Sequence, residues 1–330
     1  MQEKIKILVS AEIPEKGIEM LKDEGFVVTV LSSEKRTTQE DLIAHTQDHQ
    51  VLLSLSSDKL DSHFINACSH LKMISQLSVG YDNIDLDTAT RLKIPVGNAP
   101  DAMTEATADV AFGLMINVAR KMFYMHKRII AGNWGHFQPK ANLGIELKNK
   151  TLGIMGLGRI GTAMAERCVG AYKMQVIYHN RTRNDAAENN LNARLVSFEE
   201  LLAQSDVLSV HCTLNPCTKE IFNQQAFQKM KKSAIFINTS RGTVHHEKDL
   251  EEALKNGDIL GAGLDVTNPE PMQKDNPLLS MANVAILPHI GSATIEARTE
   301  MSRLAAINII EYFRGNKIPH LLNKEVMVGM

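Results

Sequence analysis

Three polar side chains stand just beyond apolar runs in the second half of the chain, and their types could act together. Arg241 follows Ile235-Phe236-Ile237-Asn238-Thr239-Ser240, Glu270 lies within Val266-Thr267-Asn268-Pro269-Glu270-Pro271, and His289 follows Ala285-Ile286-Leu287-Pro288. The carboxyl ends of parallel strands are where open α/β sheets bind their ligands. Singly, each residue has an ordinary explanation: a surface arginine, a loop glutamate, a histidine satisfied by backbone. As a set they supply what reduction of a keto acid needs, a cation for the carboxylate and a proton for the carbonyl oxygen.

A glycine-rich turn precedes all three. Gly156-Leu157-Gly158-Arg159-Ile160-Gly161 follows an apolar strand pattern and opens a helical one. One glycine makes the tight turn, one lets the backbone approach a pyrophosphate, and one lets the helix lie close on the strand. The free N–H groups and positive end of that helix then hold the phosphates. A GxGxxG alone is weak, but between a strand and a helix it reads as a dinucleotide fingerprint. The end of the next strand separates the two nicotinamide dinucleotides. NAD enzymes carry Asp or Glu about 20 residues after the glycines, bonded to the ribose hydroxyls. Here the run is Tyr178-His179-Asn180-Arg181-Thr182-Arg183, with no carboxylate and with arginines where a 2′-phosphate would lie. An arginine fork matches a phosphate and has no partner on a bare ribose. The alternative is that Arg181 and Arg183 are solvated loop residues. NADP(H) is the expected nucleotide, and NAD(H) stays open.

Such residues need strands to stand on. Short apolar runs at Ile5–Val9, Phe26–Leu31, Val51–Leu55 and Lys72–Leu77 alternate with helical patterns near Pro14–Lys22, Gln39–Thr46 and Ser62–Cys68, closing near Pro95–Val96. A long helix is expected from Thr104 to Ala131, ended by Gly132-Asn133. A second series runs through Leu152–Met155, Gln175–Tyr178, Val207–His211, Ala234–Asn238, Ile259–Leu264 and Val284–Leu287, before a last helix from Thr294 to Phe313 with Gly315 behind it. Strands separated by helices imply right-handed crossovers and parallel sheets, so the fold class is α/β with two doubly wound lobes. The length of 330 residues agrees with more than one core. A net charge of −2 with no markedly basic stretch makes nucleic acid an unexpected partner. Cys68, Cys168, Cys212 and Cys217 fit neither a disulfide framework nor a zinc motif, which suits a reducing compartment. No apolar run approaches the roughly 20 residues of a membrane span, and no leader pattern opens the chain, so a cytoplasmic location without membrane contact is expected.

The chain resembles the D-isomer-specific 2-hydroxyacid dehydrogenase family, and particularly its glyoxylate/hydroxypyruvate reductase branch. The matching stretches are Val79-Gly80-Tyr81-Asp82-Asn83-Ile84-Asp85, the Gly156–Gly161 turn, Asn238-Thr239-Ser240-Arg241-Gly242, Gly263-Leu264-Asp265-Val266, Asn268-Pro269-Glu270-Pro271 and Pro288-His289-Ile290-Gly291-Ser292-Ala293-Thr294. They stand in family order and span nearly the whole chain. The resemblance implies a Rossmann cofactor domain, residues 100–289, inserted into a flavodoxin-like substrate domain made of residues 1–99 and 290–330. It also implies an active site in the cleft between them and a two-fold homodimer.

The same resemblance implies roles that the chemistry supports. His289 would protonate the keto oxygen as general acid, Glu270 would fix its tautomer and favour the imidazolium, and Arg241 would hold the substrate carboxylate. Backbone N–H groups of Val79 and Gly80 would take the other carboxylate oxygen. Nucleotide contacts are implied for Thr107, Gly156, Gly158, Arg159, Ile160, Gly161, Asn180, Arg181, Arg183, Cys212, Leu214, Thr218, Thr239, Ser240, Arg241, Asp265, His289 and Gly291. Cys212 is expected to leave room for a ribose and to do no thiol chemistry. His211 could help pack the nucleotide site, whereas His245 and His246 are expected to be solvated or capping. No metal is expected, since no carboxylate or cysteine stands at ligand spacing from that pair. Trp134 and Phe137 either close a substrate pocket, that of a neighbouring subunit included, or pack in a core.

The expected reaction is transfer of a hydride from NADPH to a small 2-keto acid. Leu55 and Leu77 suggest a small, partly apolar pocket suited to glyoxylate or hydroxypyruvate. Reduction of 2-ketogluconate stays open. A phosphoglycerate dehydrogenase reading calls for an acidic residue at the second strand and often a regulatory extension. A nicotinamide-sensing corepressor reading calls for docking segments and disordered tails.

Overall fold

The computed structural model describes residues 4–34 and 37–327. Its contacts divide the chain into two units, residues 1–103 with 293–330 and residues 104–292. The expected joints, at 99/100 and 289/290, lie a few residues earlier.

The first unit alternates β1 (Lys6–Val9), α1 (Glu15–Asp23), β2 (Val27–Val30), α2 (Gln39–Thr46), β3 (Val51–Ser54), α3 (Ser62–Ala67), β4 (Met73–Gln76), α4 (Leu86–Arg91) and β5 (Val96–Gly97). The five strands are parallel, in the order β2-β1-β3-β4-β5. This is the flavodoxin-like doubly wound order. Because side chains alternate across a strand, Ile7, Val9, Val51, Leu53 and Met73 join one buried cluster, while Leu8, Leu52 and Ile74 join another with Leu42, Phe64 and Ile65. Helices therefore cover both faces, which is why β3 and β4 are buried at every residue. Asp61 and Asp85 cap α3 and α4 by accepting the Phe64 and Thr88 amides.

The second unit opens on α5 (Thr104–Arg120) and α6 (Met122–Ile130). The sequence pattern reads as one helix to Ala131; the structure breaks it at Lys121, whose φ of 54° is left-handed. The cause is a returning segment. Ile145 donates its N–H to the Ala119 carbonyl at 3.0 Å, and the Asn117 side chain accepts the Phe123 N–H, so the ladder is rerouted at this turn. Then follow β6 (Thr151–Met155), α7 (Arg159–Tyr172), β7 (Gln175–His179), α8 (Asp185–Leu191), β8 (Arg194–Leu195), α9 (Phe198–Gln204), β9 (Val207–Val210), α10 (Gln224–Lys229), β10 (Ile235–Asn238), α11 (Glu247–Asn256), β11 (Gly261–Leu264) and β12 (Val284–Ile286). All seven strands are parallel, in the order β12-β11-β10-β9-β6-β7-β8. The order reverses between β6 and β9, and such a switch point is where a dinucleotide sits in this architecture. The sequence shows six of these strands; β8 has only two residues, one of them the exposed Arg194, and no apolar run marks it.

The last helix, α12 (Ile295–Phe313), belongs to the first unit and is capped by Thr294, which accepts the Ala297 amide at 3.0 Å. Its Ser302 accepts the Gly17 N–H and donates to the Pro14 carbonyl, fastening α12 to the start of α1. No helix among the described residues is long and apolar enough to cross a membrane.

Candidate active site

The glycine turn lies between β6 and α7, at the switch point. Gly156 has φ +94°, and a Cβ there would stand 2.6 Å from the Cys212 amide nitrogen, so the turn rests on the loop after β9. Only glycine tolerates both demands. A Cβ on Gly161 would meet the Gly156 carbonyl at 2.6 Å, whereas at Gly158, the N-cap of α7, it would meet nothing within 4 Å. The residues thus fit a dinucleotide: two glycines are needed by the fold, and the third leaves open space in front of a helix N-terminus.

The end of β7 holds this turn in place. Asn180 accepts the Leu157 N–H at 2.7 Å and donates to the Leu157 carbonyl, to which Asn184 also donates at 2.9 Å. The Asn180 side chain is therefore engaged with the loop rather than free for a ribose. Arg181 is exposed and has no ion pair among the described residues. Arg183 is paired with Glu188 at 2.7 Å.

Cys212 and Leu214 follow β9 and are half-buried; burial pushes the Cys212 thiol up to about 11. Thr218 is buried, with its hydroxyl donated to the Thr213 carbonyl at 2.7 Å. His211 lies within bonding distance of Ser209 and Thr239, and burial lowers it to about 4, which keeps it neutral.

Asn238, fully buried at the end of β10, builds the arginine loop. Its Oδ1 accepts from the Ser240 amide and hydroxyl, and its Nδ2 donates to the Arg241 carbonyl at 2.9 Å and to His245 Nδ1 at 3.0 Å. His245 is accordingly buried against Phe236, not solvated or capping, and burial lowers it to about 4. His246 alone takes the N-cap position of α11. Gly242 lets this loop press against the next: a Cβ there would stand 1.9 Å from the Thr267 carbonyl oxygen. Glu247 ties the same neighbour down by accepting the Asn268 N–H at 3.0 Å. Glu270 lies three residues on from Thr267, with the Asn268–Pro269 and Glu270–Pro271 bonds both cis.

His289 and Glu270 meet, with Nδ1 3.1 Å from the glutamate Oε2. That contact is the main reason His289 is raised above the usual histidine value; burial and the nearby Arg241 charge oppose it. The histidine backbone is left-handed, φ +52°, an uncommon state for a residue other than glycine. Asp265 enforces it. Its carbonyl accepts the His289 N–H at 2.9 Å, and its buried carboxylate accepts the Ile290 and Gly291 N–H groups at 2.8 and 2.7 Å. Thr107 donates to the Gly291 carbonyl from α5 at 3.0 Å. Asp265 and Thr107 therefore spend their side chains on the histidine loop.

In the first unit, Val79 and Gly80 follow β4, and neither amide donates to another described group. Their carbonyls are occupied: Asn98 donates to Val79 at 2.8 Å, and Ser78 at 2.7 Å and Gln76 both donate to Gly80. Gln76 is fully buried and also exchanges bonds with Asn83, which donates onward to the Leu55 and Asp58 carbonyls. Two consecutive N–H groups without a partner among the described residues, on a loop fixed from behind, are donors an anion could take.

The family model for the D-isomer specific 2-hydroxyacid dehydrogenase NAD binding domain matches residues 112–291, more than half of the chain. A glyoxylate reductase of Thermococcus litoralis is 40% identical over 330 residues, 99% of each chain. The chain belongs to the D-2-hydroxyacid dehydrogenase family. Among solved structures, a glyoxylate reductase from Paecilomyes thermophila is 33% identical with a TM-score of 0.86, covering 98% of this chain and 100% of its own. An NADPH-dependent glyoxylate/hydroxypyruvate reductase from Sinorhizobium meliloti, in complex with NADP and malonate, is 30% identical with a TM-score of 0.85, covering 98% of each chain.

Some groups that build this dehydrogenase's loops carry no mark in its sequence. Gln76, Asn184 and Glu247 are ordinary polar residues whose partners only the fold supplies. Asn238 had a signal, as a polar residue ending a fully apolar strand. Trp134 and Phe137 are 79% and 87% exposed, so core packing within their own chain does not describe them. Among the described residues, no group of three or more His, Cys, Asp or Glu is placed to hold a metal.

Proposed function

We propose that this dehydrogenase reduces a small 2-keto acid, glyoxylate or hydroxypyruvate, to the D-2-hydroxy acid with NADPH. The observation that carries the reading is the His289–Glu270 contact at 3.1 Å, on a left-handed loop clamped by Asp265 and within the field of Arg241. Residues 104–292 are the nucleotide-binding unit, and the remainder supplies the substrate-binding loop.

A bound reduced nicotinamide supplies the hydride that reaches the keto carbon. The chain's own residues do the rest. Arg241 holds the substrate carboxylate and the keto oxygen, which turns the carbon to a fixed face. The amides of Val79 and Gly80, in the first unit, are suited to a carboxylate oxygen. With Nδ1 committed to Glu270, His289 presents Nε2–H to the keto oxygen and gives up that proton as charge develops there. Glu270 keeps the ring in that tautomer and steadies the cation beforehand. The Gly156–Gly161 turn and α7 hold the pyrophosphate.

Arg181 and Arg183 favour the phosphorylated nucleotide, as does the absence of a carboxylate at the end of β7. The NADPH dependence of the Sinorhizobium relative agrees with this. Half-buried Leu55 and Leu77 favour a small acid. Initial rates on a panel of keto acids, each with NADPH and with NADH, test the reading. Glyoxylate or hydroxypyruvate with NADPH should give the highest kcat/KM; a tenfold preference for NADH, or for a bulky acid, would overturn it.

A further inference from the structure

We propose that Glu188 limits how strongly the nucleotide site prefers a 2′-phosphate, because its carboxylate holds Arg183 in an ion pair that the phosphate must share or break. The inference rests on the NADPH reading above and assigns its two arginines unequal parts.

The sequence has no carboxylate at the end of β7, but the fold brings one. Glu188 lies in α8, five residues beyond Arg183, and its Oε2 is 2.7 Å from Arg183 Nη2. Its other oxygen accepts the Tyr178 hydroxyl proton at 2.7 Å, and that hydroxyl accepts the Asn184 N–H at 2.9 Å. Tyr178 is a buried residue of β7. The carboxylate is therefore anchored to the strand that ends at the proposed phosphate site. Arg183, whose side chain is 64% exposed against 19% for Glu188, is the partner free to swing. These bonds, Arg183 first and then Tyr178, hold the Glu188 carboxyl below its ordinary range, so it is ionised throughout the working pH.

Arg181 has no such partner among the described residues and is open to solvent. It can meet a phosphate at no loss. Arg183 cannot: a phosphate that takes its guanidinium strands a fixed carboxylate nearby, and one that shares it sits beside a like charge. A nucleotide without the phosphate leaves the ion pair as it is. Glu188 is thus a positioning residue that acts through Arg183, and its charge bears on one nucleotide more than on the other.

The test is calorimetric titration of the full-length protein with NADPH and with NADH, at one salt concentration, for the wild type and for Glu188→Gln, Arg181→Ala and Arg183→Ala. Glutamine keeps an oxygen for Arg183 and removes the charge. Glu188→Gln should tighten NADPH about three- to tenfold and raise the Kd ratio of NADH to NADPH by the same factor, as expected for a partly exposed charge. A merely structural role would move both nucleotides together and leave the ratio alone. The proposal fails if the ratio stays within twofold, or if NADPH binds more weakly, which would make Glu188 a prop for Arg183. When either result comes with a weakened NADPH affinity in Arg181→Ala, only the part given to Glu188 is lost. If neither arginine variant weakens NADPH, the arginine reading itself falls, and this proposal with it.

Discussion

At the scale of single residues, Glu270 and the loop behind it keep an exposed imidazole protonated and aimed. Glu270 raises His289, so the imidazolium needed for reduction survives to higher pH than an isolated histidine would allow. Replacing Glu270 with Gln removes the charge, lowers that value, and should move the alkaline fall of kcat/KM to lower pH; a pH–rate profile checks it. The sign for stability follows the same shift: the contribution is full below the unfolded histidine value and is lost as pH rises through the raised one. Asp265 is a different case. Its two carboxylate oxygens accept two backbone N–H groups, and asparagine can offer only one acceptor. Asp265→Asn should therefore cost about 1–3 kcal/mol in a denaturant melt and lower kcat, because a buried N–H loses its partner where His289 is set. Arg241, Glu270 and His289 drew attention in the sequence only as a set beyond strand ends, and the fold brings His289 and Glu270 into contact. The clamp by Asp265 was not legible there, since its partners lie 25 and 26 residues away and meet it only when β11 and β12 pair.

Elements were legible where a period or a turn residue marked them. Alternating apolar runs gave both sheets, and the glycines gave the β6–α7 turn. The break between α5 and α6 was hidden because Arg120 and Lys121 are good helix formers; the returning chain at Gly144 and Ile145, not propensity, bends the helix there. β8 escaped because two residues make no pattern. The turn itself yields a sharper test of what each glycine does. Gly156→Ala forces a left-handed φ and a 2.6 Å contact onto a side chain, so it should lower Tm and nucleotide affinity together. Gly158→Ala points a methyl into open space and should weaken nucleotide binding tenfold or more with Tm nearly unchanged. Thermal melts paired with binding titrations read both. Equal losses of Tm would remove the division of labour between the two positions.

For the whole molecule, the exposed stretch from α6 onward carries Met122, Ile129, Ile130, Trp134 and Phe137. Apolar side chains this dense are characteristic of a surface covered by another subunit. Sedimentation should give the mass of two chains, falling to one for Ile130→Glu combined with Trp134→Glu; a wild type that sediments as one chain contradicts the homodimer. The family could be read from motif order alone. A two-fold homodimer was expected from the resemblance alone; which surface would carry it was not legible, because an exposed tryptophan looks the same in sequence as a buried one. If the proposed function holds, the molecule reduces a keto acid on one face with the His289 proton. The direct measurement is product analysis with hydroxypyruvate and NADPH, for the wild type and for His289→Ala at saturating nucleotide. One D-glycerate should form per NADPH consumed, about 10²–10⁴ times more slowly in the variant. An L product, or a variant that turns over within a few fold of the wild type, would contradict it.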